Sequence, residues 1–220
     1  MMKTIKFKNS SKEVPVSKIV CVGQNYSDHI KEMGGTKPDF PVIFFKPTSS
    51  LVFFGDKVIH PTFSEDMHHE SELVLLIGKT IKDVSLAEAK TAVSAYAVGL
   101  DMTLRDIQKA CKDKGQPWAV AKGFDTSAVV SEFISIEERP LRGDENLMLM
   151  VNDEVRQNCS IDKMIYDYAE VVKYLSSKMT LEEGDLVFTG TPAGVGKVVP
   201  GDIIYTELSN LVSLKIEVSK

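Results

Sequence analysis

Five consecutive apolar residues, Leu73, Val74, Leu75, Leu76 and Ile77, constrain this chain more than any other stretch. A run of that length, with Gly78 behind it, reads as a buried strand. Glu70 and Glu72 sit at its mouth. Residues two apart in a strand point to one face, so two carboxylates share a face beside a core strand, ~7 Å apart along the backbone. A carboxylate removed from water costs several kcal/mol unless it is paired. Two close together repel, and one tends to take up a proton. A hard divalent cation resolves both problems, because Mg²⁺ or Ca²⁺ binds oxygen ligands at about 2.0–2.6 Å. Asp101, at the end of the apolar stretch AYAVGL, is a candidate third ligand. The same Glu-x-Glu spacing also describes the solvated face of an edge strand, and spacing alone leaves both readings open.

The rest of the chain is punctuated in the same way. Short extended pieces are expected in SKIVCVG, PVIFFKP, SLVFFGDKVIHP, LEEGDLVFTG, PGDIIYTEL and LVSLKIEVS, and WAVAKGFDTSAVVS is expected to start as a strand. LMLMVNDEVRQNC is a hairpin candidate with Asn152-Asp153 at its turn. Helices are expected in NYSDHIKEMGG, with Ser27 or Asp28 near its start and Gly34-Gly35 behind it, and in TLRDIQKACKDKG, closed by Gly115. Ser85 with Glu88 three residues on forms a capping-box pattern. SIDKMIYDYAEVVKYLSSKM reads as the longest helix, with Val171, Val172 and Leu175 on its apolar side. Many short strands with a few helices outside suggest a mixed α/β, mostly β fold, a β-roll or sandwich and not a doubly wound sheet.

The 220 residues suit one large domain or at most two small ones. A net charge of −5 with no basic run argues against a nucleic-acid or anionic-membrane binder. No apolar run approaches the ~18 residues of a spanning helix, and the first residues lack an apolar signal core. Cys21, Cys111 and Cys159 are widely spaced with no CxxC, which points to a reduced, cytoplasmic compartment and cysteines used as small core residues.

Other residues carry chemistry. His29 and Glu32 lie on one face of a short helix, an arrangement for a general base whose tautomer the acid fixes, or equally for a surface pair. Arg105 and Gln108 share a helix face and can project over a metal, or into solvent. Lys122, between Ala121 and Gly123 in an apolar run, needs an anion partner or a lowered pKa. His68 and His69 point to opposite faces of their strand and do not make a zinc site. TGTPAGVGKVVPGD fails the P-loop pattern, having Thr191 at the first glycine position and Val198 after Lys197. No G-x-S-x-G occurs.

Six separated motifs, GQNYSDHIKEMG, FFKPTSSL, HHESELVLLIGK, YAVGLDMTLRDIQ, WAVAKGFDTSAVV and LEEGDLVFTGTPAGVG, together resemble the fumarylacetoacetate hydrolase family over nearly the whole chain. The likeness is to its short, single-domain acylpyruvate hydrolase (acylpyruvase) branch. The resemblance implies a β-sandwich roll with peripheral helices, residues 1–220 as one catalytic domain, and a homodimer. It places Glu70, Glu72 and Asp101 on metal-ligand positions for Mg²⁺ or Mn²⁺. It gives His29 and Glu32 as a water-activating pair on a lid-like segment, hinged at Gly34-Gly35, and Lys122 as a catalytic residue. Arg105, Gln108 and Thr191 fall on substrate-binding positions. His69 stands where other members often carry an aromatic residue and is not assigned as a ligand. The implied reaction is hydrolysis of the C–C bond of an acylpyruvate such as acetylpyruvate or fumarylpyruvate. Oxaloacetate decarboxylation or tautomerisation, and isomerisation of a 2-hydroxy-dienedioate, are alternatives at the same site. A non-catalytic metal- or keto-acid-binding protein is a further one.

Overall fold

The structure is a computed structural model and describes residues 3–220. Its centre is a mixed sheet ordered Val42–Lys46, Ile19–Gly23, Leu186–Phe188, Ser71–Ile77, Val93–Asp101, Ala128–Val130, Leu51–Phe53, with Ile134–Ser135 pairing beside the end of Val93–Asp101. A second sheet runs Glu154–Ser160, Asn146–Val151, Ile203–Leu208, Val212–Ser219, Lys57–Ile59. A small third sheet joins Thr103–Leu104, Met67–His69 and Gly196–Lys197. The hairpin Thr4–Phe7 with Ser10–Pro15 stands apart. This is the mixed α/β, mostly β sandwich roll expected from the sequence.

The unbroken apolar run of Ser71–Ile77 has a direct cause. Leu73, Leu75 and Ile77 enter one core with Tyr96, Val98 and Leu100, packed on Leu147, Leu149 and Ile216 of the second sheet and on Val171, Val172 and Leu175. Val74 and Leu76 enter an opposite core with Ala95, Ala97 and Phe188, covered by Ile5, Phe7 and Val14 of the hairpin. Both faces of the strand are covered, so alternation disappears. Gly99 lets this packing close up: a Cβ there would stand 2.7 Å from Val129 O and 2.7 Å from Val74 Cγ2.

Local signals hold where chemistry is local. Ser85 and Glu88 form a reciprocal capping box on the helix Leu86–Ala92. Asn152 and Asp153 take φ 50 and 65, the left-handed pair of a tight hairpin turn. Gly34 (φ 64) and Gly115 (φ 62) follow the helices Ser27–Glu32 and Arg105–Asp113. Tyr26 occupies the cap position of the first of these without a side-chain bond.

Four expectations are corrected. MHHESELVLLIG is not one strand: it breaks at Glu70, with Met67–His69 in the small sheet and Ser71–Ile77 in the central one. WAVAKGFD does not start as a strand. Ala119–Lys122 is a helical turn, closed by Lys122 N–H to Trp118 O (3.0 Å) and Gly123 N–H to Ala119 O (2.8 Å). The turn exposes Val120 while burying Ala121 and Lys122. The longest helix is Tyr168–Lys178, preceded by a separate 3₁₀ turn Ile161–Lys163, because Asp167 and Glu170 make a second capping box that starts the helix there. Of the cysteines only Cys21 is buried; Cys111 and Cys159 are half-buried, on helix and strand faces turned partly outward.

Candidate metal and proton-transfer site

The break at Glu70 creates the site. Asp101 N–H donates to Glu70 O (2.9 Å), which docks the end of Val93–Asp101 against the break. The carboxylates of Glu70, Glu72 and Asp101 then converge, all buried, with one oxygen from each lying within 4.8 Å of the others. Glu70 and Glu72 border a cavity of about 30 Å³. His29, Glu70, Glu72, Arg105, Gln108, Lys122 and Thr191 line it directly, while Asp101 stands behind Lys122 and Glu32 behind His29. The structure therefore brings together all the residues singled out for the site.

The two glutamates differ in environment. Burial pushes Glu70 up, but Lys122, Arg105 and His29 outweigh it and hold the carboxyl well below its ordinary range. Lys122 Nζ donates to Glu70 Oε2 (2.7 Å), Asp101 Oδ2 (2.7 Å) and Thr103 Oγ1 (2.6 Å), and Arg105 Nη2 pairs with Glu70 Oε1. Glu72 receives only the Gly190 N–H, at 2.7 Å. Burial, then Asp101 and Glu70, push it well above its ordinary value. Gly190 has φ +100, and a Cβ there would stand 2.8 Å from Asn25 Cβ, so glycine is required where this N–H is delivered. Burial lowers Lys122, but Asp101 and Glu70 prevail and raise it, so the ammonium stays charged.

A divalent cation fits this donor set. The facing atoms are carboxylate oxygens, the ligand class of hard cations. Lys46 Nζ lies 2.7 Å from Asp101 Oδ1, out of line for a hydrogen bond, so that buried oxygen has no donor. Glu72 makes no ion pair among the described residues.

The His29–Glu32 pair is formed as well. His29 Nδ1 is 3.2 Å from Glu32 Oε2, and Glu32 Oε1 accepts from Gly194 N–H at 3.0 Å. Asn25 anchors the start of that helix, donating to Thr189 O (2.8 Å) and Tyr166 O (3.0 Å). Arg105 Nη1 donates to Gln108 Oε1 at 2.8 Å, which leaves the Gln108 amide hydrogens for a ligand.

His68 and His69 meet different partners. His68 meets Asp66 (3.0 Å), and His69 Nδ1 faces Gln157 Oε1 (3.4 Å). Burial pushes the His69 imidazole down to about 4.

Sequence reasoning missed Lys46 and Gln157. Lys46 is fully buried and also reaches the carbonyls of Met102 (3.2 Å) and Lys122. Its signal was the one that marked Lys122, a lysine closing an apolar run, here VIFFK. Gln157 lies among polar residues of its strand and carries no comparable signal. Lys112 and Trp118 complete the cavity mouth, the ammonium 5.1 Å from the indole ring centre.

Known proteins resemble this arrangement throughout. Residues 18–219 match the family described as fumarylacetoacetate (FAA) hydrolase C-terminal. The chain is 43% identical over 202 residues to a Bos taurus protein named oxaloacetate tautomerase FAHD1, mitochondrial, covering 92% of this chain and 91% of that one. It is 44% identical over 195 residues to a Dictyostelium discoideum protein named oxaloacetate decarboxylase, mitochondrial, covering 88% and 89%. The crystal structure of a fumarylpyruvate hydrolase from Pseudomonas aeruginosa, in complex with Mn²⁺ and pyruvate, superposes with a TM-score of 0.96 at 37% identity, covering 99% of this chain and 96% of that one. No helix among the described residues is long and apolar enough to cross a membrane.

Proposed function

Because this chain belongs to the fumarylacetoacetate hydrolase family, we propose that it is a divalent-metal-dependent enzyme acting on a 2-oxo acid of the oxaloacetate class, moving a proton between C3 and the 2-oxo oxygen. The observation that carries the choice is the identity of 43% and 44% to proteins named for oxaloacetate chemistry. This reading replaces acylpyruvate hydrolysis as the leading one, with hydrolysis second.

The residues supply the steps. Glu70, Glu72 and Asp101 would hold Mg²⁺ or Mn²⁺, which supplies Lewis-acid polarisation of a 2-oxo group when bound. Arg105, the free amide hydrogens of Gln108 and the Thr191 hydroxyl grip the substrate carboxylate. Glu32 on Nδ1 fixes the His29 tautomer and leaves Nε2 to take the C3 proton. The electron pair of that C–H bond forms the C2–C3 double bond, and charge develops on the 2-oxo oxygen. The Lys122 ammonium, kept charged by its acid partners, stabilises that charge in a small, largely buried site. Decarboxylation reaches the same enolate by a different bond: C3–C4 breaks and CO₂ leaves.

Hydrolysis of an acylpyruvate is supported by likeness to the fumarylpyruvate hydrolase and by the same His29–Glu32 pair, which can deprotonate water for attack on the distal carbonyl. A turnover panel with Mn²⁺ separates the two: oxaloacetate ketonisation, oxaloacetate decarboxylation, acetylpyruvate and fumarylpyruvate cleavage, ranked by kcat/KM. Oxaloacetate ketonisation is expected to lead. A ranking led by acylpyruvate cleavage transfers the assignment to the hydrolase, and no turnover of any member rejects both.

A further inference from the structure

Gln157 lies outside the cavity lining yet touches both halves of the site, and it is buried at 1% exposure. Its Oε1 accepts from Ser71 N–H (3.0 Å), the peptide joining Glu70 and Ser71, and faces His69 Nδ1 (3.4 Å). Its Nε2 donates to Pro192 O (2.9 Å) and to Thr191 Oγ1 (2.8 Å). An amide can usually be drawn either way round. Here two backbone groups of fixed polarity decide: Ser71 N–H can only donate and Pro192 O can only accept, so oxygen faces Ser71 and nitrogen faces Pro192.

That orientation determines what Thr191 presents. Its hydroxyl oxygen accepts from Gln157 and makes no other hydrogen bond among the described residues. The hydroxyl proton is thus left for the cavity that Thr191 lines. We propose that Gln157 is a positioning residue that turns the Thr191 hydroxyl proton towards the anionic end of the substrate, and ties that donor to the peptide joining Glu70 and Ser71. The inference rests on the 2-oxo-acid reading above for what Thr191 meets. It differs from it in assigning recognition to a side chain that touches no substrate.

The test is a cycle at equilibrium on Mn²⁺-loaded protein, at pH 8. Gln157→Glu keeps an acceptor for Ser71 N–H but has no hydrogen to give Thr191. Gln157→Met removes every polar contact of the amide without adding charge, and serves should the acid variant fail to fold. Each is made alone and with Thr191→Val, and pyruvate affinity is read from Mn²⁺ water-proton relaxation. Gln157→Glu is expected to weaken pyruvate about tenfold or more, the scale of a hydrogen bond to a charged group. Mn²⁺ affinity should stay unchanged in that variant, and the weakening should vanish in the Thr191→Val background. Equal weakening in both backgrounds overturns the proposal, since charge or general distortion would then be acting without Thr191. So does unchanged pyruvate affinity in either Gln157 variant. Coupling that persists in a protein turning over no 2-oxo acid leaves this inference standing and rejects the function proposed above.

Discussion

Strands Ser71–Ile77 and Val93–Asp101 run antiparallel, and a cavity opens at each end of the pair. At the Ile77 and Val93 end it is large, about 800 Å³, and lined by Lys12, Lys79, Lys90, Glu137 and Glu138. At the Ser71 and Asp101 end it is about 30 Å³. The large one keeps its charges in water, where they cost little and interact weakly. Around the small one Glu70, Glu72, Asp101, Lys46 and Lys122 are buried; Glu70, Asp101 and the two lysines pair with one another, and Glu72 is held by a backbone N–H. The difference teaches that volume does not locate chemistry here. Desolvated charge does, because a chain retains such charges only where the fold compensates them.

Four experiments can break that contrast. Glu72→Gln should abolish tight Mn²⁺ binding by electron paramagnetic resonance and lower turnover roughly a thousandfold, a loss of several kcal/mol of charge stabilisation. Lys90→Gln at the large cavity should change neither, and a comparable loss there would erase the distinction. His29→Ala should lower kcat by about 10²–10⁴ while leaving Mn²⁺ affinity intact, as expected of proton transfer separate from metal binding. Lys46→Met should destabilise the fold by roughly 3 kcal/mol in urea titration, because Asp101 loses a buried counter-ion. The matching Lys12→Met at the far cavity should stay within about 0.5 kcal/mol.

The smallest effect concerns pH. The His69 value of about 4 lies below its ordinary 6.5 through burial, so the folded state holds a neutral ring. The unfolded chain binds the proton first as pH falls, so this stability is whole above pH 6.5 and is lost towards pH 4. Between pH 6.5 and 5 the loss is about 1.5 kcal/mol. His69→Gln should remove that part of the slope, and an unchanged slope would show that burial at the rim of the site carries no such penalty.

Legibility followed distance along the chain. The Ser85–Glu88 box and the Asn152-Asp153 turn were readable because donor and acceptor lie within a few residues. The Asp167–Glu170 box is just as local, and reading SIDKMIYDYAEVVKYLSSKM as one helix passed over it. Lys122 was recognised as needing anions, yet its backbone was misread, since a short apolar run does not distinguish a strand from a buried turn. Glu70 and Glu72 were expected to share a face through strand alternation. They converge instead where one strand ends and the next begins, because Glu70 carbonyl pairs with Asp101 N–H.

By itself, then, the sequence determined the apolar runs that became strands, the turns between them, the family, and the acids, histidine and arginine that gather at the site. Only the tertiary structure decided which charge meets which: Lys46 and Lys122 on Asp101, Glu72 left with a single N–H, Gln157 clamped between Ser71 and Thr191. The reason is physical. Periodicity and turn chemistry are properties of neighbours in the chain, whereas partners of buried charges are set by strand order and register, which depend on every element of the sheet at once.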